Sequence, residues 1–336
     1  MGGQFLQEPP PPEARLTQPS NPKFFKSVSK TIEEHAEHLK GSPIEIIQIS
    51  RGEFNGRSTV LDLGGITLAN RHANAQYIGQ GAFTDMVTLL FPLQDKSYYT
   101  DGLSCSKNNF SMKANNDAFK VVFPENFEHL GVFIHTSMFS KYLADRQADE
   151  IFEFLKTHRN QTIFETDGFP GRYMHNLFIN LASLYEAAGP IPIDPTIYKK
   201  MIINFLYEYF CLIYKPVKQK KSNHGRIVQR GIELIEASDE IIPLKALTSE
   251  LHASERTIHN AFASVLNSTP HQIIKAHFLH KIRDCLLRTN LNASQLNLLL
   301  LTRFVTNFSR FKQEYRDYFH ESPKDTMNRL QRLAIG

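Results

Sequence analysis

Apolar positions recur along this chain with two different periods, and the change of period divides it. From about Ile44 to Thr136 the apolar runs are short, β-prone and separated by loops rich in Asn, Asp, Ser and Gly. Ser58-Thr-Val-Leu-Asp-Leu63 and Ile66-Thr-Leu-Ala69 flank Gly64-Gly65, a pair suited to the positive φ angles of a two-residue hairpin turn. With Met86–Phe91, Ala118–Phe123 and Leu130–His135, they predict an antiparallel barrel or sandwich. Beyond Thr136 the spacing lengthens to three and four residues, predicting helices over Ser137–Leu155, Gly171–Ala188 and Thr196–Tyr214. The Gly-Pro-Ile-Pro-Ile-Asp-Pro stretch from Gly189 to Pro195 separates the last two. Lys215–Gly225 has the polar, breaker-rich composition of a linker, and everything after it has helical periodicity.

The helical end contains a repeat. Offset by 53 residues, Phe262-Ala-Ser-Val-Leu-Asn-Ser-Thr-Pro270 lies over Tyr315-Arg-Asp-Tyr-Phe-His-Glu-Ser-Pro323. Upstream, Ser254 matches Asn307, both good helix N-caps, and Ile258 matches Phe311. In the first copy Leu244, Leu247 and Leu251 form one stripe, and His252-Ala253 interrupts it. Ser254 then caps a helix whose buried side is Ile258, Ala261, Phe262 and Val265. Asn267 stands where a left-handed residue ends a helix, and Pro270 prevents continuation. Two short amphipathic helices joined tightly make a helix-turn-helix. Its second helix presents Glu255, Arg256, His259, Asn260 and Ala263 outward, near the end where such a helix meets base edges. Arg bonds guanine, and Asn adenine, in bidentate fashion. From His271 to Arg288 one helical pattern, with Ile274, Phe278, Ile282, Cys285 and Leu286 on its apolar side, joins the copies. Its length is about 27 Å, most of a turn of DNA.

Composition and charge then narrow the field. A chain of 336 residues favours two domains. No run approaches the roughly 18–20 apolar residues of a membrane helix. The start, with Pro10, Pro11 and Pro12, reads as a disordered tail over 1–22 and lacks a secretory signal pattern. Cys105, Cys211 and Cys285 are scattered without a CxxC pair, which fits a reducing, cytoplasmic compartment. Residues 216–336 hold 18 Lys+Arg against 11 Asp+Glu, while residues 1–215 hold 20 against 23. A basic C-terminal third is the footprint expected for a polyanion partner.

The segment from about Gly225 to Leu333 resembles the AraC/XylS family of transcription regulators. The likeness rests on Leu247, Leu251, Ser254, Ile258 and Phe262, on Asn267-Ser-Thr-Pro270, on the spacer helix, and on Phe311, Tyr315, Phe319 and Glu321-Ser-Pro323. Gly52-Glu-Phe-Asn-Gly56 and the strands after it are similar to the sensor domain of that family. Leu251–Phe262 is particularly similar to regulators of ethanolamine-utilisation operons. The resemblance implies an α+β chain: an N-terminal antiparallel β barrel or sandwich-like sensor domain with flanking helices over 23–214, a linker over 215–225, and an all-α double helix-turn-helix domain over 226–333. It implies double-stranded DNA, RNA polymerase, a small-molecule effector and a second copy of the chain as partners, with no cofactor and no membrane. The DNA contacts expected in the first unit are Ser254, Glu255, Arg256, His259 and Asn260, and in the second Ser309, Arg310, Lys312, Gln313 and Arg316. The second unit departs from the family pattern. Phe304-Val305 and His320 stand where Gly-aromatic and Gly are usual, and a non-glycine at positive φ costs stability. Its turn is therefore expected to differ, or its hold on DNA to fall mainly on phosphates.

Two other classes stay open at this stage. A barrel enzyme would need a metal cluster, but His72 has no HxH partner, and His129 and His135 define no site. Nor does a GxGxxG, P-loop, GxSxG or HExxH pattern occur. A helical adaptor that binds protein, with the repeat purely structural, accounts for the same periodicity without DNA.

Overall fold

The computed structural model describes residues 23–37, 44–114, 117–158, 162–188, 193–214, 222–238, 240–289, 293–302, 305 and 307–333. The expected tail (1–22) and most of the expected linker (215–221) lie outside the described residues. The N-terminal part runs β1 (Lys23–Ser29), α1 (Ile32–Glu37), β2 (Ile44–Gln48), β3 (Gly56–Asp62), β4 (Ile66–Ala73), β5 (Tyr77–Gly81), β6 (Met86–Pro92), β7 (Tyr98–Thr100), β8 (Leu103–Cys105), β9 (Asn109–Ala114), β10 (Phe119–Phe123) and β11 (Phe127–His135). There follow α2 (Ser137–Tyr142), α3 (Asp145–Thr157), β12 (Ile163–Glu165), α4 (Phe169–Ala188) and α5 (Thr196–Tyr207), which continues as a π-helical turn over Glu208–Ile213.

The strands form two antiparallel sheets in the orders β1-β3-β4-β11-β6-β9-β12 and β2-β5-β10-β7-β8. They face each other as a sandwich rather than a closed barrel. The predicted hairpin is present: Gly64 and Gly65 take φ of 76° and 90°, and the Leu63 N–H donates to the Ile66 carbonyl at 2.8 Å. The alternation of side chains explains why β6 and β11 are buried on both faces. Val87, Leu89, Leu130, Val132 and Ile134 pack under helices α2 to α5 in one apolar core. Their neighbours Thr88, Leu90, His129, Gly131 and Phe133 face a cavity between the sheets. The helical stretch thus covers the seven-stranded sheet.

Three details depart from the sequence expectation. The predicted helix over Ser137–Leu155 breaks at Leu143 and Ala144, both extended, where the Gln147 side chain accepts the Ala144 N–H at 3.2 Å. Strand β12 interrupts the helical stretch to pair with β9. Strand β1 and helix α1 precede the first predicted strand.

The C-terminal part is helical: α6 (Asn223–Ala237), α7 (Leu244–Leu251), α8 (Glu255–Leu266), α9 (Pro270–Arg288), α10 (Ala293–Thr302), α11 (Phe308–Phe319) and α12 (Pro323–Leu333). It is welded to the sandwich. Ile47, Ile78 and Val122 from the five-stranded sheet, with Ile49 just after β2, share one core with Ile227, Val228, Ile232, Leu266, Ile273 and Ile274. Polar bonds frame that core. Gln76 donates to the Leu266 carbonyl at 2.5 Å and accepts from Ser268 at 2.9 Å. The Tyr318 hydroxyl donates to the Gln48 carbonyl at 3.0 Å, and His280 Nε2 lies 3.1 Å from the same oxygen. Arg283 holds Glu33 of α1 at 2.5 Å and also pairs with Glu321. Gly225 is packed so closely on Gly102 that a Cβ there would lie 2.1 Å from the Gly102 carbonyl oxygen.

Candidate nucleic-acid interface

The first helix-turn-helix is built by its caps. Helix α7 ends at His252, which takes the left-handed conformation at φ 48°. The Ser254 hydroxyl accepts the Thr257 N–H at 3.2 Å and opens α8. Ile258, Ala261, Phe262, Val265 and Leu266 form the buried side of α8, in one core with Leu247 of α7. Helix α8 stops at Asn267, left-handed at φ 49°, as the sequence predicts. Thr269 and Gln272 then cap each other, and Pro270 is the first residue of α9.

The second unit repeats this construction. Asn307 accepts the Arg310 N–H at 2.9 Å and opens α11, and Phe311, Tyr315 and Tyr318 are buried. His320, the counterpart of Asn267, is left-handed at φ 55°. Ser322 and Asp325 cap the start of α12 as Thr269 and Gln272 do that of α9. The end of α11 is therefore not turned differently; His320 adopts the strained conformation that glycine would take without cost. Phe304 lies outside the described residues, while the Val305 N–H bonds the Leu300 carbonyl at 2.9 Å.

Helix α9 is 19 residues long, about 28 Å, and separates the two units. The sequence gives it one apolar stripe. It is instead buried nearly all round, with His277, His280 and Arg283 enclosed beside Ile274, Phe278 and Ile282. Arg283 is a fixed charge there. Burial works against it, but the Glu33 hydrogen bonds and charge prevail and raise its pKa. Burial likewise pushes Glu33 up, yet the Arg283 bonds overcome this and hold its carboxyl at about 2.

The ten expected contacts fall on two surfaces. Ser254, Glu255, Arg256 and Asn260 are exposed, and His259 is half-buried, its ring 6.2 Å from that of His271. Arg256 and Asn260 make no side-chain hydrogen bond or ion pair among the described residues, whereas the Ser254 hydroxyl is occupied by its cap. On α11, Ser309, Arg310, Lys312, Gln313 and Arg316 are exposed. Two of these are engaged within the helix. Arg310 pairs with Glu314 at 3.1 Å, which Lys275 holds from α9 at 2.6 Å, and Gln313 donates to Asp317 at 2.6 Å. The polar contacts from α1 and Gln48 to α9 and α11 were missed in the sequence, because no periodicity marks a strand carbonyl as a helix partner. His72 is half-buried, and among the described residues no group of three His, Cys, Asp or Glu side chains is placed to hold a metal.

No family model matches the chain. A curated relative, the XylDLEGF operon transcriptional activator of Pseudomonas putida, is 28% identical over 105 residues, which are 31% of this chain and 33% of the relative. The chain thus spans about a third of the length of the curated relative it matches. Among solved structures, the AraC-like transcriptional activator CuxR is similar with a TM-score of 0.41 at 10% identity, covering 77% of this chain and 95% of CuxR. ToxT of Vibrio cholerae O395 gives 0.28 at 9% identity, covering 85% and 97%. TM-scores of this size lie below the level at which a common fold follows. Two of the three names, those of the Pseudomonas putida protein and of CuxR, are of transcriptional activators. None mentions ethanolamine.

Proposed function

We propose that this chain is a sequence-specific, DNA-binding transcription regulator of the AraC/XylS kind, non-enzymatic, in which a sandwich-like sensor governs two helix-turn-helix units. The observation that carries it is the duplicated unit itself. Two helices with equivalent caps, equivalent left-handed ends and exposed polar faces stand at either side of one long, enclosed helix. The basic balance of residues 216–336 and the 105-residue likeness to an operon activator support the same conclusion. In this reading residues 23–214 are the sensor, 215–225 the connection and 226–333 the DNA-binding part. Arg256 and Asn260 read bases, with Glu255 and His259 beside them. Lys312, Gln313 and Arg316 hold the neighbouring groove, and Ser254, Ser309 and Arg310 flank the contact surface.

The sensor binds a small effector, and the regulator works in the cytoplasm with RNA polymerase on double-stranded DNA. A second copy belongs to this reading. Ile197, Met201, Leu212 and Ile213 are exposed on α5 and the turn that follows it, although the apolar side of these helices is already used by the sheet. No described helix is long and apolar enough to cross a membrane.

The test is a mobility-shift titration of the intact chain on random duplex at about 50 and 200 mM salt. Six or more phosphate contacts predict at least a thousandfold loss of affinity. A helical adaptor predicts no binding at either salt, which would end the proposal.

A further inference from the structure

Helix α11 carries a charged flank that its counterpart α8 lacks. Arg310, Gln313, Glu314 and Asp317 stand three or four residues apart and so share one side of the helix, next to the buried stripe of Phe311, Tyr315 and Tyr318. At the equivalent positions of α8, 53 residues earlier, stand Thr257, Asn260, Ala261 and Ser264, none of them charged. Both carboxylates of the flank are engaged. Glu314 accepts from Lys275 of α9 at 2.6 Å and from Arg310 at 3.1 Å, while Asp317 accepts from Gln313 at 2.6 Å. Lys312 and Arg316 are exposed and make no side-chain hydrogen bond or ion pair among the described residues.

A carboxylate beside a surface that meets DNA repels the phosphates, so its presence there calls for a reason. Exposed ion pairs contribute little to stability. The Lys275 and Glu314 side chains, however, are only 28% and 27% exposed, which shields the pair in part from salt. Burial works against the Glu314 charge, but the bonds from Lys275 and Arg310 prevail and lower its pKa, so the carboxyl stays ionised. One carboxylate thus turns two cations onto the protein, Lys275 from the spacer helix and Arg310 from the start of α11. Ala261, which takes the same place in the first unit, holds no cation.

We propose that Glu314 is a positioning residue that limits the grip of the second head on the phosphate backbone: it holds Lys275 and Arg310 on the protein and leaves the phosphate contacts to Lys312 and Arg316. This inference rests on the DNA-binding reading and deepens it. Each phosphate neutralised by a lysine or arginine releases counterions and steepens the salt dependence of binding. Phosphates carry no sequence information, so a head with every cation free would grip any duplex equally. Glu314 keeps that sequence-blind contribution small. A larger share of the binding energy then comes from the bases read by α8.

The experiment is a salt titration of the intact chain on random duplex, comparing the parent with Glu314→Gln, Glu314→Ala and Asp317→Asn, each checked for folding by its melting temperature. Asp317→Asn removes the same charge from the same flank but frees no cation. The Glu314 variants should bind more tightly at low salt. Between about 50 and 200 mM salt their affinity should fall further than the parent's, by about 3-fold for one released cation and about 12-fold for two. Asp317→Asn should keep the parental slope, and adding Lys275→Gln and Arg310→Gln to Glu314→Gln should restore it. A tie that serves the fold alone predicts the opposite sign, weaker binding with a lower melting temperature. The proposal is overturned if both Glu314 variants keep the parental slope or bind more weakly, if Asp317→Asn steepens the slope equally, or if the triple variant retains the gain. A parent that binds no duplex ends the DNA-binding reading and this inference with it. Parental binding with an unchanged slope in the Glu314 variants overturns this inference alone.

Discussion

Like Lys312 and Arg316 of the second outer face, and unlike Arg310 and Gln313, Arg256 and Asn260 make no side-chain hydrogen bond or ion pair among the described residues. Both of these α8 residues are exposed near its start. Arg256→Ala or Asn260→Ala should therefore cost about 1–3 kcal/mol of specific binding and relax sequence preference, as loss of a bidentate base contact does. Lys312→Ala or Arg316→Ala should weaken operator and random duplex alike and flatten the salt dependence, measured by titration of folded variants at several salts. Unchanged discrimination after both α8 substitutions would reverse the assignment. These outer positions were legible in the sequence because Ile258, Ala261, Phe262 and Val265 fix which face of α8 is buried. The half-burial of His259 was not, since its neighbour His271 comes from the next helix. Nor was Arg71 legible: a charged residue in a strand ordinarily faces water, and only the second sheet makes its position interior.

At the level of elements, the repeat was the strongest signal, and it located cap for cap. Ser254 and Asn307 open their helices, and Asn267 and His320 close them. His320 at φ 55° is the least suited of the four, because a β-carbon is crowded in the left-handed region. His320→Gly should raise stability by about 0.5–1 kcal/mol in reversible unfolding, while Asn267→Ala should lower it. A destabilised His320→Gly variant would mean that the ring makes a contact worth more than the strain. The spacer helix shows where periodicity falls short. Its stripe from Ile274 to Leu286 was readable, but burial of His277, His280 and Arg283 on its other sides depends on β2 and α1, far away in sequence.

For the molecule as a whole, the sandwich and the helices share one core, so the predicted linker joins parts that are packed together rather than apart. The polar groups of that contact carry a pH dependence. His280 faces the Gln48 carbonyl, Glu33 and Arg283, and burial, the largest influence, holds it down at about 4. His277 faces His280, Lys120, Lys281 and Glu236, and burial holds it at about 3. His129, inside the sandwich, behaves likewise. Unfolded imidazoles take up protons near 6.5, so between there and about 4 the unfolded chain binds more protons and stability falls with acid. Glu236, whose pKa burial raises, opposes this in part. Denaturant midpoints should drop between pH 7 and pH 5, each histidine contributing up to about 1.4 kcal/mol per pH unit. A flat profile would show that these rings take up protons in the folded chain as readily as in the unfolded one.

The central claim is that two heads on one enclosed spacer of about 28 Å read a single face of the duplex. Hydroxyl-radical footprinting of the intact chain, on a fragment selected from the host genome, addresses it most directly. The account predicts two protected patches about one helical turn apart on the same face, with Arg256→Ala removing one and Lys312→Ala thinning the other. A single patch that neither substitution alters, or no protection at any concentration that shifts the fragment, would contradict it.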